Sequence, residues 1–333
     1  MMPGCTTNIG SAFAPPGRVH IAVQRALEAV AWREVLDASE QILVKPNLGY
    51  DFVRPGTTTS PVVIKAVVEL LVAHGHLVTI IEGDQVLVDV ETAARQAGIP
   101  SLCEHPRVSW VNLSRTRFVR REFSGARVFQ EIGLPEILDS APLLTLPVMK
   151  THAKCVVSGA IKNQWGVLPI DRHHYHSVLD DALVDLHDVV RPSLCLMDAT
   201  VCLEGNGPKS GRARHVDHVF AARDPFLLDW FAAKLMGFDP SEIAYLEAIR
   251  RHRGDVGLPP VVIGPVPDLA RFMPAEHNLV SLVESRLRQS RIAPLVFDSP
   301  VFKLCCRGAR LWYQLGHLAE PLARSVPGRA RRD

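Results

Sequence analysis

The stretch from Lys150 to Gly211 concentrates the residues whose types and spacing could do chemistry. It opens K-T-H-A-K-C at Lys150–Cys155, continues as I-K-N-Q-W-G at Ile161–Gly166 and D-R-H-H-Y-H at Asp171–His176, and closes on E-G-N-G-P at Glu204–Pro208. Lys150, Lys154 and Lys162, with Asn163, put cations and an amide donor close together, while Gly159 and Gly166 permit tight backbone approach. Such a set suits the holding of a carboxylate or phosphate, or the stabilisation of an oxyanion or enolate as charge develops. The bland alternative puts these lysines on a solvated helix face. Against it, Lys150 follows a buried apolar run, where a charged side chain is unexpected unless it has a task.

The histidines allow two chemistries. His152, His173, His174 and His176 could join Asp198 or Glu204 as ligands of a divalent metal, since imidazole and carboxylate together suit zinc and non-haem iron. No H-E-x-x-H is present, and the spacing of His173, His174 and His176 fits a loop more than a preset helical face. His152 and His176 serve equally as general acid or base, or as donors to an anionic substrate. In Glu204–Gly211 the glycine spacing matches neither a dinucleotide fingerprint nor a P-loop, and Pro208 removes a backbone donor. That loop is either a turn-rich connection needing positive φ or an anion-binding segment, the second favoured by Lys209, Arg212 and Arg214. Cys155 and Cys202 flank the region; lysines near Cys155 make a nucleophile conceivable, and an inert buried thiol is the preferred reading. The absence of G-x-S-x-G removes support for a serine hydrolase of the α/β type.

Four apolar runs must position these groups. Gln41–Lys45 leads into Pro46-Asn47, Leu77–Ile81 into Glu82-Gly83-Asp84, Pro142–Val148 into Met149-Lys150-Thr151-His152, and Ser193–Met197 into Asp198. Runs apolar at nearly every position suit strands covered on both faces, as in a parallel sheet. Ligands bind outside the carboxyl ends of such strands, so Lys45, Glu82, Lys150 and Asp198 are expected around one cleft at one sheet edge. Helices are expected between the strands: Val62–Ala73 after an N-cap at Thr59-Ser60-Pro61, Val90–Ala97 capped by Asp89, then Val178–Val190, Pro225–Met236 and Ser241–His252. Pro259–Gly264 reads as a further strand.

The resulting expectation is an α/β fold, a mostly parallel buried sheet flanked by helices, with a helical C-terminal extension. Residues 1–18 read as a flexible leader, 19–265 as the core, in one body or two lobes around a cleft, and 266–333 as the helical basic extension. Within the extension, Pro300–Leu318 mixes apolar positions with Lys303, Arg307 and Arg310 at helical spacing, which suits packing on the core and leaves a partner or membrane surface open. A chain of 333 residues with 47% hydrophobic residues can bury a large core, and a net charge of +2 gives no reason to expect nucleic acid as partner. The leader has neither a basic start nor an apolar run, and no window is long enough to span a bilayer, so the sequence points to the cytoplasm and away from integral membrane insertion. Seven cysteines without a C-x-x-C pair offer no iron–sulfur or zinc-ribbon framework.

At these motifs the chain resembles the domain of unknown function (DUF) 362 family. The resemblance rests on K-P-N at Lys45–Asn47, T-x-P at Thr59–Pro61, E-G at Glu82-Gly83, K-T-H at Lys150–His152 and I-K-N-Q-W-G at Ile161–Gly166. It continues through His176, D-A at Asp198-Ala199, E-G-N-G-P at Glu204–Pro208, and Asp224 and Asp229 in R-D-P-F-L-L-D. It implies a shared α/β core and marks these positions as site residues. Many members also carry ferredoxin-like segments, which implies redox work in those relatives; this chain lacks the cysteine run, so an iron–sulfur cluster is not expected in it.

Residues and resemblance together assign Lys45, Lys150 and Lys162 to neutralising a ligand, Asn47 and Asn163 to orienting it, and Thr58, Thr151, Gly205 and Gly207 to contacting it. Glu82, Asp198 and Glu204, with His152 and His176, would manage protons or hold a divalent ion. The expected function is an enzyme acting on a small anionic metabolite, carboxylate or phosphate. The alternatives are an oxidoreductase fed by an external protein electron donor, and a non-catalytic protein that binds or delivers a metabolite or cofactor to a partner.

Overall fold

Strands apolar on both faces need cover on both sides, and the chain supplies it from helices that alternate with the strands. The computed structural model describes residues 8–49, 53–85, 89–208 and 210–275, without the side chains of Asp171, His173 and His174. Strands β1 (Asn8–Phe13), β2 (Gln41–Pro46), β3 (Leu77–Glu82) and β4 (Val108–Asn112) are joined by helices α1 (Val19–Ala29), α2 (Arg33–Leu36), α3 (Pro61–Ala73), α4 (Val90–Gln96) and α5 (Ile99–Leu102). A separate hairpin, β5 (Phe118–Glu122) with β6 (Glu131–Pro135), precedes β7 (Leu143–Leu146), β8 (Val148–His152) and β9 (Val156–Ser158). Helices α6 (Ala160–Asn163) and α7 (Leu179–Val189) lead to the long strands β10 (Leu194–Glu204) and β11 (Arg212–Ala222), followed by α8 (Pro225–Leu235), α9 (Ala244–Arg253) and β12 (Val261–Ile263).

The main sheet runs β12-β1-β11-β10-β7-β2-β3-β4, with β8 and β9 branching from β10. Six of its nine pairings are parallel. One apolar core lies between the sheet and α1, α3 and α4, built on Val23, Leu27, Ile64, Val67, Ile42 and Val44. The other lies under α6 to α9, built on Ile161, Leu183, Phe226, Tyr245, Leu43 and Met197. Alternate residues of β2 therefore face opposite cores, the two-sided burial that the apolar runs anticipate. No helix of the described residues is long and apolar enough to cross a membrane.

Several expectations need correction. The segment read as a flexible leader contains β1, a buried strand held between β11 and β12. The apolar run at Pro142–Val148 is two strands, not one. Pro147 has no N–H to donate, so β7 ends before it; its carbonyl accepts from Asp198 N at 2.8 Å, and β8 then leaves β2 to follow β10. Asp198 does not end its strand, because β10 continues to Glu204. Residues 266–275, read as the start of a helical extension, contain no helix; Phe272 N donates to Met236 O and Met273 O accepts from Gly205 N. Residues 276–333, with the expected helix at Pro300–Leu318, lie outside the described residues.

Candidate functional site

The carboxyl ends of β2 and β3 carry a fully buried ion pair. Lys45 Nζ donates to Glu82 Oε2 at 2.7 Å, and Gly83 N donates to Glu82 Oε1 at 2.9 Å. Burial pulls the Lys45 ammonium below its ordinary pKa, and the Glu82 carboxylate opposes that pull. Two glycines from separate motifs close over this pair. A Cβ on Gly166 would lie 2.2 Å from Glu82 Oε1 and 2.7 Å from Lys45 Nζ, and a Cβ on Gly83 would lie 2.6 Å from Gly166 O. Only bare backbone fits between them.

Strand β8, which follows β7 directly and pairs with β10 and β9, brings Lys150 close to the end of β2, with the residue 3% exposed. Its Nζ donates to the Thr57 carbonyl at 2.7 Å and lies 3.5 Å from Asn47 Oδ1; no carboxylate pairs with it among the described residues. Burial, and then the charge of Lys162, bring Lys150 down to about 7. Lys162, at the end of α6, is half-buried with its ammonium 5.1 Å above the Trp165 ring. Burial, with Arg172 and Lys45 nearby, brings it down to about 8. The Trp165 ring also meets His176 edge-on, with centroids 5.6 Å apart. Lysines near one another in a protein interior repel, and Glu82 pairs with one of them, Lys45.

His152 completes the edge, and its tautomer is fixed by backbone. Both Lys154 N, at 3.1 Å, and Cys155 N, at 3.4 Å, point to its Nδ1. A backbone amide can only donate, so Nδ1 holds a lone pair and the neutral ring carries its proton on Nε2. Burial first, then Lys162 and Lys150, hold the ring well below the ordinary histidine pKa. The turn that aims these amides is strained: Val156 has φ of 62°, with Val157 N donating to Cys155 O at 2.7 Å across it. Cys155 itself is no nucleophile. Burial pushes its thiol up to about 12, and its Sγ donates to Val157 O at 3.1 Å.

The segment 159–166 is held in place by groups that the sequence treats only as pattern. Asp229 of α8 accepts from Ala160 N at 2.6 Å and Ile161 N at 3.0 Å, and it approaches Gly159 so closely that a Cβ there would lie 2.1 Å from Oδ1. Burial raises Asp229 to about 7. Asn163 Nδ2 donates to Lys45 O at 3.2 Å and Thr145 Oγ1 at 2.8 Å, and Gln164 Nε2 donates to the same hydroxyl at 2.8 Å. Asn163 thus fastens α6 to the ends of β2 and β7.

Other expected site residues stand elsewhere or are occupied. Asp198 Oδ2 accepts from Ser60 N at 2.7 Å, and Oδ1 accepts from Thr200 N at 2.9 Å and Thr200 Oγ1 at 2.6 Å. It braces the start of α3, where Ser60 makes no side-chain cap. Glu204 is clasped by Arg212 at 2.6 Å and Arg214 at 3.0 Å, which keep its carboxyl acidic, so it is not free for proton transfer. Thr58 bonds within its own loop, to Arg54 N. Thr151 Oγ1 donates to Gly205 O at 2.8 Å, and Gly207 O accepts from Ala153 N at 2.9 Å. Thr151, Gly205 and Gly207 therefore tie the β10–β11 turn to β8, with Gly205 at φ 80° supplying a turn conformation that glycine favours. Asp198 and Glu204 are committed to these partners, and no cluster of three or more His, Cys, Asp or Glu that could hold a metal ion exists among the described residues. The side chains of His173 and His174 are outside them.

Three contributors were not singled out by sequence reasoning. Arg172 is buried beside the lysines and donates to Leu168 O at 2.7 Å and Asp84 O at 2.6 Å, with no sequence signal to separate it from the surrounding polar loop. Trp165 stands three residues after Lys162 within one helical stretch, a spacing that could have suggested the stacking. Thr57 acts through its carbonyl, which side-chain reading does not reveal.

The family described as domain of unknown function (DUF362) matches residues 42–234, which contain every group of this edge. The chain is also similar to the thylakoid-associated protein sll1697 of Synechocystis sp. (strain ATCC 27184 / PCC 6803 / Kazusa). The two are 28% identical over 224 residues, 64% of this chain and 68% of that protein.

Proposed function

The chain belongs to the family described as domain of unknown function (DUF362), and from that premise and the geometry of its sheet edge we propose that it is an enzyme acting on a small anionic metabolite. One observation carries the reading: Lys150 on β8 and Lys162 on α6, both beside the end of β2, have neutral partners among the described residues, Lys150 the Thr57 carbonyl and Asn47, and Lys162 the ring of Trp165. Buried charge without a counter-ion is unfavourable, and a bound anion relieves it. Lys45 differs, because Glu82 already balances it; that pair sets the floor of the site. His152 presents a neutral ring with Nε2–H as donor, suited to polarising a carbonyl or handing a proton to a developing oxyanion. Lys162 and His176, both half-buried, form the open side through which a ligand enters.

The test is consumption of substrate. Purified protein is incubated with a metabolite extract and losses are followed by mass spectrometry, with His152→Asn alongside, whose side-chain oxygen can still accept the two amides. Loss of one anionic compound with wild type, slowed about a hundredfold or more in the variant, is expected. No anionic compound consumed overturns the enzyme reading, and binding without turnover makes the protein a carrier. A requirement for an added electron donor makes the reaction redox. We place the protein in the cytoplasm; recovery with washed membranes would overturn that placement, and the Synechocystis relative is named as thylakoid-associated.

A further inference from the structure

The balance of charge at the sheet edge narrows the ligand further, resting on the anion-site reading above. Among the described residues neither Lys150 nor Lys162 has a carboxylate partner, and both lie by the end of β2: Lys150 Nζ is 3.5 Å from Asn47 Oδ1, and Asn163, next to Lys162, donates to Lys45 O at 3.2 Å. A ligand with one negative charge leaves one of them unanswered. A ligand with two charges far apart on a carbon chain cannot bring both to two ammoniums by one strand end. One compact group with two charges does both. Arginine forks are the usual recognition of planar carboxylates, and the arginine nearest the lysines, Arg172, spends guanidinium donors on the carbonyls of Leu168, Pro169 and Asp84. Lysine ammoniums act as point charges with rotatable donors, which suits a tetrahedral group.

We infer that the site takes the phosphoryl group of a phosphate monoester as its dianion, held between the ammoniums of Lys150 and Lys162 with the His152 Nε2–H as a further donor. Since either lysine alone faces a single charge, both are needed for tight binding. The ring of Trp165, which carries Lys162 on its face and meets His176 at its edge, forms a wall against which the organic part of the ester rests.

The test is calorimetric titration of the full chain with four probes at matched ionic strength in a phosphate-free buffer: inorganic phosphate, methyl phosphate, dimethyl phosphate and acetate. The two dianions are expected to bind about tenfold or more tighter than monoanionic dimethyl phosphate and acetate, and Lys150→Met and Lys162→Met are each expected to weaken methyl phosphate binding about tenfold or more. Lys65→Met, on the exposed face of α3, should leave it unchanged. Thermal melts establish that each variant is folded; Lys162 keeps part of its surface exposed, so its variant decides the matter should Lys150→Met fail to fold. Acetate or dimethyl phosphate binding as tightly as methyl phosphate overturns the dianion inference and leaves the anion site standing. Absence of binding by all four probes overturns both.

Discussion

Removing the charge of Lys150 should make the ligand-free protein more stable, although it removes a residue from the site. Lys150 is 3% exposed, and its pKa falls from 10.5 to about 7 with burial as the first cause. At about 1.4 kcal/mol per pH unit, the charged form is disfavoured by roughly 5 kcal/mol in the folded protein relative to water. At pH 7 the folded group is about half deprotonated, so roughly 4 kcal/mol of that opposes folding. Lys150→Met keeps the aliphatic stem and removes this penalty. It also forfeits the hydrogen bond to Thr57 O, about 1.5–3 kcal/mol for a charged donor. The net expectation is a variant about 1–3 kcal/mol more stable than wild type near neutral pH.

The pH dependence has a definite sign. The unfolded chain keeps the lysine proton up to 10.5, while the folded chain releases it from about 7. Between those values the unfolded state holds more protons, so wild-type stability rises with pH and the advantage of the variant shrinks and then reverses. Urea unfolding of both proteins from about pH 6 to about pH 10, in buffer free of phosphate and sulfate, measures this directly. A variant less stable than wild type near neutral pH, or a stability difference that does not change with pH, would refute a desolvated and uncompensated Lys150.

Further perturbations probe the supports of the site. Glu82→Gln leaves Lys45 buried without its partner and should destabilise by about 3 kcal/mol or more in urea unfolding; a loss below about 1 kcal/mol would mean that Lys45 is neutral in the fold. Gly166→Ala should cost about 2–4 kcal/mol or prevent folding, because its Cβ meets Glu82 at 2.2 Å, whereas Gly49→Ala, with its nearest neighbour at 3.5 Å, should be close to neutral. Val156→Gly should raise stability by about 1 kcal/mol by relieving φ of 62°; a destabilised variant would show that the turn is not strained. Anaerobically purified protein should show no visible charge-transfer absorption and no acid-labile sulfide; stoichiometric iron with sulfide would contradict that expectation.

The β2, β3, β7 and β10 strands are legible in the sequence because burial on both faces leaves an apolar run. Strand β11 is not, since Arg212, Arg214, His215 and Asp217 break any apolar pattern in its exposed half. Strand β1 is as long as β2 or β3, but Gly10 and Ser11 interrupt its apolar pattern, and only its pairing with β11 and β12 reveals it. Within the site, parallel pairing of β2 with β3 sets Lys45 beside Glu82 at strand ends, whereas Lys150 reaches them from β8, which pairs with β10 and β9, by way of Asn47 and Thr57. The fate of Asp198 and Glu204 depends on partners distant in sequence, Ser60 for the one and the Arg212–Arg214 pair across the hairpin for the other. Motif position alone does not separate a carboxylate that braces a helix from one that faces a ligand. The glycines of I-K-N-Q-W-G and E-G gain their meaning only when seen stacked over the Lys45–Glu82 pair.

The central claim is that the Lys150–Lys162 pair at the carboxyl ends of the strands binds the anionic ligand of this protein. A thermal-shift screen of anionic metabolites on wild type and Lys150→Met, side by side, tests it most directly. The account predicts at least one phosphorylated compound that raises the melting temperature of wild type and leaves the variant, already more stable without ligand, unmoved. A variant stabilised by every compound that stabilises wild type, and to the same extent, would contradict it.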